Sequence, residues 1–345
     1  MQTAILDTTP ECGGAEMRPL VSILLIAFNQ QQTIAEAIAG ALAQTWSPLE
    51  IIVSDDASSD DTFGAMQAAV AGYRGPHRIV LNRNPANLGI GAHLSQLVAM
   101  SRGELLFVAA GDDISLPQRC ERVTRAWLAS GRRLDLIASA LVDTDASGID
   151  HATITPSDLG AYRSAADLVA RPPHVIGAAQ AWTRRVFDRF GPLPSGVVAE
   201  DLVMVFRAVV SGGAMTLAEP LVRYRRGGLS RRRRALSAAQ VIERWLANSR
   251  HSRVELPLLL ADARLAGQLA AVEAPLTAQL ARETLVHDLF ATAGRAQRAR
   301  LLLRARAVPA AQRIRFAVYA LCPALLAPLF AIKRLLQPRG EEAGR

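Results

Sequence analysis

Apolar runs of strand length alternate with helix-spaced apolar positions from Val21 to Ser139. Val21–Ala27 and Leu105–Ala109 are unbroken apolar runs, which are typical of strands buried on both faces. Ile34–Thr45 instead has apolar residues at helical spacing. This alternation predicts an α/β fold with a mostly parallel, Rossmann-like sheet and helices on both of its faces. The same patterns predict strands at Glu50–Ser54, Arg78–Leu81 and Leu134–Ser139, and helices at Thr62–Ala71, Gly91–Ser101 and Pro117–Ser130.

The pattern becomes less regular in the next part of the chain. Residues 143–172 are polar and predict an irregular excursion over the surface. His174–Trp182 fits either a strand or the start of a helix. Ala199–Ser211 predicts a helix whose first turn carries Glu200 and Asp201, where the helix dipole favours negative charge. Two short strands are predicted to follow, at Ala214–Leu217 and Leu221–Tyr224.

Composition and charge divide the chain near residues 227–234. Residues 1–18 are polar and predict a flexible leader, and residues 19–228 hold the α/β domain. Arginine, alanine and leucine at helical spacing then predict a basic α-helical region over residues 229–345. The first 230 residues contain 19 basic and 23 acidic residues, whereas the remainder contains 20 basic and 8 acidic ones. The net charge of +8 is therefore concentrated in the C-terminal region.

The C-terminal region contains an uncharged apolar segment, residues 316–332, with basic residues at both ends. A membrane-spanning helix needs about 20 apolar residues, and Pro323 and Pro328 would interrupt helical hydrogen bonding. The segment therefore favours an interfacial helix drawn to an anionic membrane surface. A helix packed on the domain, or an oligomer contact, is the alternative. The Arg-rich stretch 231–306 carries no known nucleic-acid-binding motif, so nucleic-acid binding is disfavoured.

The composition favours a folded protein in a reduced, cytoplasmic setting. Half of the residues are hydrophobic, which is enough for a substantial core. Cys12, Cys120 and Cys322 are far apart and have no metal-ligand spacing. Residues 1–20 lack the pattern of a secretory signal, so none is expected. The sequence also contains no P-loop, no G-x-G-x-x-G after the first strand and no nucleophile elbow.

Acidic pairs follow two of the predicted strands, at the sheet edge where parallel sheets bind their ligands. Asp55–Asp56 follows Glu50–Ser54, Asp112–Asp113 follows the Leu105–Ala109 strand, and Phe28–Asn29 follows the first strand. Asp55–Asp56 fits a helix cap as well as an acceptor for a base or a ribose. Asp112–Asp113 fits a solvated turn less well, because adjacent carboxylates repel. A divalent cation with nucleotide phosphates would balance that repulsion.

Three blocks of the sequence resemble the family 2 glycosyltransferases, which are inverting enzymes of the GT-A fold. Residues 21–62, from VSILLIAFN to SDDASSDDT, resemble the opening block of the family. Residues 84–119, from NPANLGIG to AAGDDISLPQR, resemble the second block, which ends in a metal-binding acidic motif. AEDLVMVFRAVVSGG, at 199–213, resembles the third, whose acidic pair supplies the catalytic base. RYRRGGLS, at 223–230, resembles the segment that often follows it.

The first block of the resemblance implies a nucleotide pocket. Ala27, Phe28 and Asn29 would line this pocket, with Phe28 near the base. Asp56, together with Asp55, would hold the uracil or the ribose.

The second and third blocks imply a metal site and a catalytic base. Asp112 and Asp113 would bind the ribose and a divalent metal, Mg²⁺ or Mn²⁺, on the diphosphate. The chain reads AGDD at 110–113 where many members read D-S-D-D, which leaves open which of the two aspartates contacts the ion. Asp201 would be the general base, with Glu200 adjacent. By spacing alone, ordinary helix N-terminal charge would be the better interpretation of these two acids, and the order of the blocks is what favours the catalytic one.

The resemblance implies an inverting transferase that moves a sugar from a nucleotide-sugar, expected to be a UDP-sugar, to a hydroxyl of a glycan or lipid-linked acceptor. The expected setting is bacterial surface-polysaccharide synthesis at the inner face of the cell membrane. Processive synthesis is disfavoured, because QVIERW at Gln240–Trp245 is one residue longer than the Q-x-x-R-W motif. The alternatives are a sugar-nucleotide nucleotidyltransferase, whose Gly-rich phosphate loop is missing, and a non-catalytic nucleotide-sugar-binding scaffold.

Overall fold

The computed structural model describes residues 18–145, 147–225 and 237–335. Most of the predicted leader and the predicted boundary near 227–234 lie outside these ranges. The described strands are β1 (Val21–Ala27), β2 (Leu49–Asp55), β3 (Arg78–Arg83), β4 (Leu105–Ala110), β5 (Ile114–Ser115), β6 (Leu136–Thr144), β7 (Asp150–Ile154), β8 (Gln180–Thr183) and β9 (Ala214–Arg225).

The described helices fall into two groups along the chain. Those within the sheet domain are α1 (Ile34–Leu42), α2 (Thr62–Val70), α3 (Ile90–Met100), α4 (Arg119–Ala129), α5 (Ala165–Ala170), α6 (Arg184–Phe190) and α7 (Glu200–Val209). Those of the C-terminal extension are α8 (Ala238–Leu265), α9 (Leu269–Ala291), α10 (Arg295–Arg304), α11 (Ala310–Leu321) and α12 (Ala327–Leu335). The prediction of an α/β domain followed by a helical extension is confirmed.

All nine described strands form one mixed sheet in the order β3-β2-β1-β4-β8-β6-β9-β5, and β7 pairs with β6. The strands β3, β2, β1 and β4 are mutually parallel, so their carboxyl ends share one edge of the sheet. β8 is antiparallel to both β4 and β6. As a result, the residues that precede β8 lie at the same edge as the residues that follow β4.

The central strands are buried on both faces, as their unbroken apolar sequences predict. On one face, Leu24, Ile52 and Val108 pack with α3, α6 and α7. On the other face, Ile23 and Phe107 pack with α1, α2 and α4. Helices therefore cover both faces of the sheet, as predicted.

The structure differs from the predicted elements mainly in the second half of the sheet domain. The segment 143–172, predicted to be irregular, contains β7 and α5. The two short strands predicted between residues 214 and 224 form one strand, β9, whose pairing with β6 shifts register around Pro220. Proline donates no hydrogen bond, so the sequence between the two apolar runs does not look like a strand. A 3₁₀ turn, Gly177–Ala179, precedes β8.

The C-terminal helices pack partly on the sheet domain and partly on one another. Leu256 and Ala263 of α8 join the same core as α7. Phe316 and Ala320 of α11 form a separate core with Trp245. Within the described residues, no single helix is long and apolar enough to span a membrane. The helical stretches Ala310–Leu321 and Pro323–Ala331 meet the length and composition criteria only as a pair, which is bent by 102°.

Candidate active site

The loops that follow β1 and β2 are joined by reciprocal hydrogen bonds. Asn29 has a left-handed backbone (φ 53°), and its N–H donates to Ser58 Oγ at 2.8 Å. Its side-chain oxygen accepts the N–H of Ser59 at 2.8 Å. Ala27 is buried at the end of β1, whereas the neighbouring Phe28 side chain is 49% exposed. An exposed aromatic ring therefore lies beside two hydrogen-bonded loops at the carboxyl ends of the parallel strands.

Asp55, at the end of β2, is fully buried and its charge is balanced within the protein. One carboxylate oxygen accepts hydrogen bonds from the N–H (3.1 Å) and the hydroxyl of Ser58. The other lies 3.1 Å from Nε of Arg83. This aspartate therefore holds the β2–α2 loop and the end of β3 together.

Asp56 is also buried and acts as the organising acceptor of the loop that follows β3. Its Oδ1 accepts Asn84 Nδ2 at 2.7 Å and the N–H of Leu88 at 3.0 Å. Its Oδ2 accepts the N–H of Gly89 at 3.0 Å. Gly89 has φ +75°, a backbone conformation that favours glycine. A carboxylate offers about four acceptor positions, so Asp56 keeps unused acceptor capacity on Oδ2.

His93 lies beneath these aspartates as a buried residue with a hydrogen bond of its own. Its Nε2 lies 2.6 Å from Ser54 Oγ. Burial lowers the pKa of the imidazole, against the opposing influence of Asp56 and Asp55. A neutral, hydrogen-bonded imidazole of this kind supports the packing of the site.

Asp112 and Asp113 follow β4 at the same edge. Asp113 is 6% exposed and its Oδ1 accepts the N–H of Arg225 at 2.9 Å. Burial, followed by the neighbouring charge of Asp112, raises the pKa of Asp113 to about 8. Burial also raises the pKa of Asp112, which is the more accessible of the two. The positive charge of Arg225 lowers the pKa of both groups and that of Arg119 lowers the pKa of Asp113, but burial outweighs these effects, so a bound cation would favour the ionised pair.

The nearest buried cation makes its hydrogen bonds elsewhere. The fully buried Arg119 donates to the carbonyl oxygens of Val108 (2.8 Å) and Gln180 (3.2 Å) and to Ser115 Oγ (2.9 Å). It influences Asp113 through space only. Because Arg119 donates its hydrogen bonds to other groups, the two carboxyl groups can still bind an added cation.

The residues present fit a divalent ion of the Mg²⁺ or Mn²⁺ type. Two adjacent carboxylates are hard oxygen donors, and Mg²⁺ commonly takes one or two carboxylates together with substrate phosphate oxygens. Within residues 18–145, 147–225 and 237–335, no group of three or more His, Cys, Asp or Glu side chains could hold a metal ion. Asp112 and Asp113 would thus hold the ion together with ligands from the substrate.

Glu200 and Asp201 open α7, as the sequence predicts. Glu200 is 6% exposed and packs under Gly177, where an added Cβ would lie 2.6 Å from its Oε1. Burial, followed by the charge of Asp201, raises the pKa of Glu200 to about 8. Asp201 is more accessible, and its Oδ1 accepts the N–H of Leu202 at 2.8 Å. Burial raises its pKa to about 6, with Glu255 adding to the rise and His174 opposing it.

Two contacts connect this acidic pair with the one after β4. Gly177, against which Glu200 packs, lies in the turn before β8, and this turn sits at the carboxyl end of the antiparallel neighbour β4. The side-chain amide of Gln180 donates to the carbonyl of Asp201 at 3.3 Å, and the Gln180 carbonyl accepts from Arg119. Both acidic pairs therefore lie at one edge of the sheet. A carboxyl group with a pKa near 6 is suited to general-base chemistry near neutral pH.

Sequence reasoning missed four residues that shape this site: Arg119, Gln180, Gly177 and Glu255. Gln180 gives a weak signal, because it is a polar residue in the apolar stretch HVIGAAQAW. Glu255 gives none, because it lies on a C-terminal helix far along the chain from Asp201.

Comparison with known proteins places the domain in a family. The sequence model of glycosyl transferase family 2 matches residues 22–184. EpsE of Bacillus subtilis, which is named as a glycosyltransferase, is 32% identical over 139 residues, covering 40% of this chain and 49% of EpsE. The succinoglycan biosynthesis protein ExoO of Rhizobium meliloti is 28% identical over 231 residues, covering 62% of this chain and 63% of ExoO. The matched part thus spans about half of EpsE and somewhat less than two thirds of ExoO.

Solved structures agree with this placement at the level of the fold. Residues 1–349 of TarS from S. aureus, in complex with UDP-GlcNAc, align with a TM-score of 0.54 at 15% identity, over 92% of this chain and 87% of the TarS 1–349 chain. The mannosyltransferase PcManGT from Pyrobaculum calidifontis, in complex with GDP-Man and Mn²⁺, aligns with a TM-score of 0.50 at 19% identity, over 93% and 88%. Residues 22–184 of the sheet domain thus match glycosyltransferase family 2, and the domain has a GT-A-like fold.

Proposed function

We propose that this protein is an inverting glycosyltransferase of surface-polysaccharide synthesis. It moves a sugar from a nucleotide-sugar, of the UDP-sugar class, to a hydroxyl of a glycan or lipid-linked acceptor. The proposal assigns this chemistry to residues 19–228. The observation that carries it is the meeting, at one edge of a family 2 domain, of two adjacent carboxyl groups whose ionisation is disfavoured by burial and a carboxyl group with a pKa of about 6.

In this proposal the loops after β1 and β2 hold the nucleotide. Phe28 offers an exposed ring face to the base, and base–aromatic stacking of this kind contributes about 1–3 kcal/mol. Asn29 and Ala27 shape the pocket wall, and Asp55 and Asp56 fix its floor while Asp56 Oδ2 accepts from the base or ribose. Because Asn29, Asp55 and Asp56 are held by existing hydrogen bonds, this part of the pocket is ordered before the donor arrives.

Asp112 and Asp113 take the ribose and the metal-bound diphosphate. The divalent ion supplies positive charge that offsets the charge developing on the leaving diphosphate. The backbone N–H of Arg225 fixes one oxygen of Asp113, so this carboxylate is held in a set orientation.

Asp201 acts as the general base and removes the proton from the acceptor hydroxyl. The acceptor oxygen then forms its bond to the anomeric carbon from the face opposite the diphosphate, and the bond between that carbon and the diphosphate oxygen breaks. The products are the inverted glycoside, the nucleoside diphosphate and a proton on Asp201. Glu200 lies beside the base and, with a pKa of about 8, is protonated at neutral pH, which limits its repulsion of Asp201.

A test of the reaction class is the release of nucleoside diphosphate from a panel of UDP-, GDP- and TDP-sugars with Mn²⁺. The proposal expects slow release from one donor even without an acceptor, because water can replace the acceptor hydroxyl. Formation of pyrophosphate from a nucleoside triphosphate and a sugar phosphate would instead identify a nucleotidyltransferase. Donor binding without turnover on any acceptor pool would identify a non-catalytic scaffold.

We further propose that the C-terminal region, residues 229–345, attaches the protein peripherally to the inner face of the cell membrane. Supporting this, Ile314, Leu325 and Leu329 are 66%, 72% and 47% exposed in or beside the apolar segment 316–332. Exposed apolar side chains with flanking arginines are the combination that binds anionic lipid surfaces. Such attachment would bring the active site to a lipid-linked acceptor.

Sedimentation with vesicles tests this attachment. The protein should sediment with phosphatidylglycerol-containing vesicles and much less with pure phosphatidylcholine vesicles. The double variant Leu325→Asp with Leu329→Asp should lose this binding, whereas Leu265→Asp, at a 61% exposed site on α8, should retain it. Equal binding by both variants would contradict the proposed surface.

A further inference from the structure

Helix α8 of the C-terminal extension runs alongside α7, the helix that carries Asp201. Two acidic residues of α8, Glu255 and Asp262, bind the two ends of α7. They are seven residues apart, which is close to two helical turns, so they project from one face of α8. The family match over residues 22–184 includes neither helix.

Glu255 binds the backbone immediately before the catalytic pair. Its Oε1 accepts the N–H of Val198 at 2.9 Å and the N–H of Ala199 at 2.8 Å. Ala199 is the N-cap of α7, and its side chain makes no capping hydrogen bond. In a capping box, a Glu or Gln at the third helical position binds the N-cap N–H. In α7 that position is Leu202, which has no acceptor, so Glu255 supplies the missing group from another helix.

Asp262 provides a second anchor at the other end of α7. Its Oδ2 accepts Arg207 Nε at 2.8 Å, and both side chains are almost completely buried. Arg207 also donates to the carbonyl of Gly191 at 2.8 Å. With α7 fixed near its carboxyl end by Asp262 and at its amino end by Glu255, neither its rotation nor its axial position is free.

We propose that Glu255 is a positioning residue for the general base, so that the C-terminal extension completes the transferase site. By holding residues 198 and 199 it sets the start of α7, and hence the direction in which Asp201 presents its free oxygen to the acceptor hydroxyl. This inference rests on the proposed role of Asp201.

The charge of Glu255 supports the same assignment. Glu255 contributes to the raised pKa of Asp201 and of Glu200. The other ionisable groups that influence Asp201 are Glu200 and His174, and the effect of His174 is opposite in sign. A higher pKa makes Asp201 the stronger base once it is ionised. Glu255 therefore acts on the base through both hydrogen bonds and charge, and two substitutions separate these contributions.

Glu255→Gln removes the charge and keeps an oxygen that can accept both N–H groups. The variant should fold normally and retain the KM for the donor. Because the negative neighbour is gone, the pKa of Asp201 falls, and the acidic limb of the pH profile of kcat/KM should move to lower pH. The matched control is Glu243→Gln, at an exposed site on the same helix, roughly 18 Å from Glu255 toward the N-terminus of α8. This control should leave the pH profile unchanged.

Glu255→Ala removes the hydrogen bonds as well. It should lower kcat by roughly 10- to 100-fold, since a small misplacement of a catalytic group has effects of that size, while the donor Kd stays within about twofold of wild type. If the alanine variant does not fold, the pH profile of the glutamine variant decides the question alone. Glu243→Ala, which should keep the wild-type kcat, is the control.

The inference is overturned if Glu255→Gln keeps the wild-type pH profile and Glu255→Ala, when folded, keeps the wild-type kcat. It is equally overturned if the donor Kd rises in step with the fall in kcat, because that pattern indicates general damage to the domain. Failure of the proposed function looks different. In that case the wild-type protein releases no nucleoside diphosphate, or Asp201→Asn retains turnover, whatever the behaviour of the Glu255 variants.

Discussion

Two acidic pairs of this protein have the same local sequence pattern but differ in their hydrogen-bond donors and in the pKa values of their carboxyl groups. Asp55–Asp56 and Asp112–Asp113 each follow a buried strand of the same parallel sheet. The first pair accepts hydrogen bonds from two side chains and several backbone N–H groups, and it also contacts Arg83. In the second pair, Asp113 accepts the N–H of Arg225 and has a pKa raised to about 8.

The difference shows that adjacency of acids does not by itself identify a cation site. The first pair is held by hydrogen-bond donors of the protein and fixes loops, whereas burial disfavours the ionised form of the second pair, and a bound ion would stabilise that form. Glu200–Asp201 is an intermediate case, because one member is buried at a pKa of about 8 and the other is more accessible at about 6. The hydrogen-bond donors and charges around an acidic pair, rather than its sequence, therefore decide whether the pair stabilises loops, binds a metal or transfers a proton.

The largest effect is expected for Asp112–Asp113, the pair whose ionised form is disfavoured by burial. Asp113→Asn should weaken Mn²⁺-dependent donor binding by roughly 100-fold or more, because charge stabilisation by a bound metal is worth several kcal/mol. Calorimetric titration of UDP with and without Mn²⁺ measures this loss. The same titration of Asp112→Asn shows which aspartate contacts the ion, since the direct ligand should give the larger loss. The metal assignment would be contradicted if Asp56→Asn lost the Mn²⁺ dependence of UDP binding while Asp112→Asn and Asp113→Asn both kept it.

The compensated pair should respond in stability. Asp56→Asn places an amide where a carboxylate accepts one buried and two partly buried hydrogen bonds, and we expect the free energy of unfolding to fall by about 3 kcal/mol. Urea unfolding without metal or nucleotide measures this change. Asp113→Asn is the control, and it should not lower stability under these conditions. A stability loss that is equal in the two variants would contradict the difference between the pairs.

The third pair predicts a pH dependence of catalysis. Asp201 must be ionised to accept a proton, so with its pKa at about 6 the value of kcat/KM should fall about tenfold per pH unit below that point. A pH profile of nucleoside diphosphate release measures it. Donor binding over the same pH range is the control that separates chemistry from binding. A profile that stays flat through pH 6 would exclude Asp201 as the titrating base.

The smallest effect is expected beside the compensated pair, at Phe28. Phe28→Ala should weaken nucleotide binding by about tenfold through lost stacking. The side chain is 49% exposed, so the free energy of unfolding should hardly change. Ile149→Ala removes another exposed apolar side chain, which is 59% exposed, and should leave nucleotide binding unchanged. Equal binding by both variants would exclude Phe28 from the pocket.

The sequence predicted the parallel half of the sheet well, and the reason is physical. Strands buried on both faces need continuous apolar residues, so β1 and β4 stand out from their polar loops. The predicted bounds of β1 agree with the structure at both ends. The exposed strand β7 has no such run, and it was missed. β9 looked like two strands because Pro220 lies between its two apolar runs, and the pairing with β6 shifts register at that point.

The candidate site could be predicted only as far as its acids. Strand ends and the helix start located all three acidic pairs, and the structure brings these residues to one edge of the sheet. Their partners come from distant parts of the chain: Arg225 follows Asp113 by 112 residues, and Glu255 follows Ala199 by 56. These tertiary contacts decide which acid is neutralised, and a local pattern does not contain them.

In the proposed mechanism, Asp201 removes the proton of the acceptor hydroxyl, while Asp112 and Asp113 would hold the diphosphate through a metal. The most direct test is the rate of nucleoside diphosphate release by Asp201→Asn at saturating donor and Mn²⁺, with donor affinity measured on the same sample. The donor affinity should stay within about twofold of wild type and the rate should fall by roughly 100-fold or more, since general acid–base catalysis contributes about 10²–10⁴-fold. Near-normal turnover in this variant would contradict this mechanism.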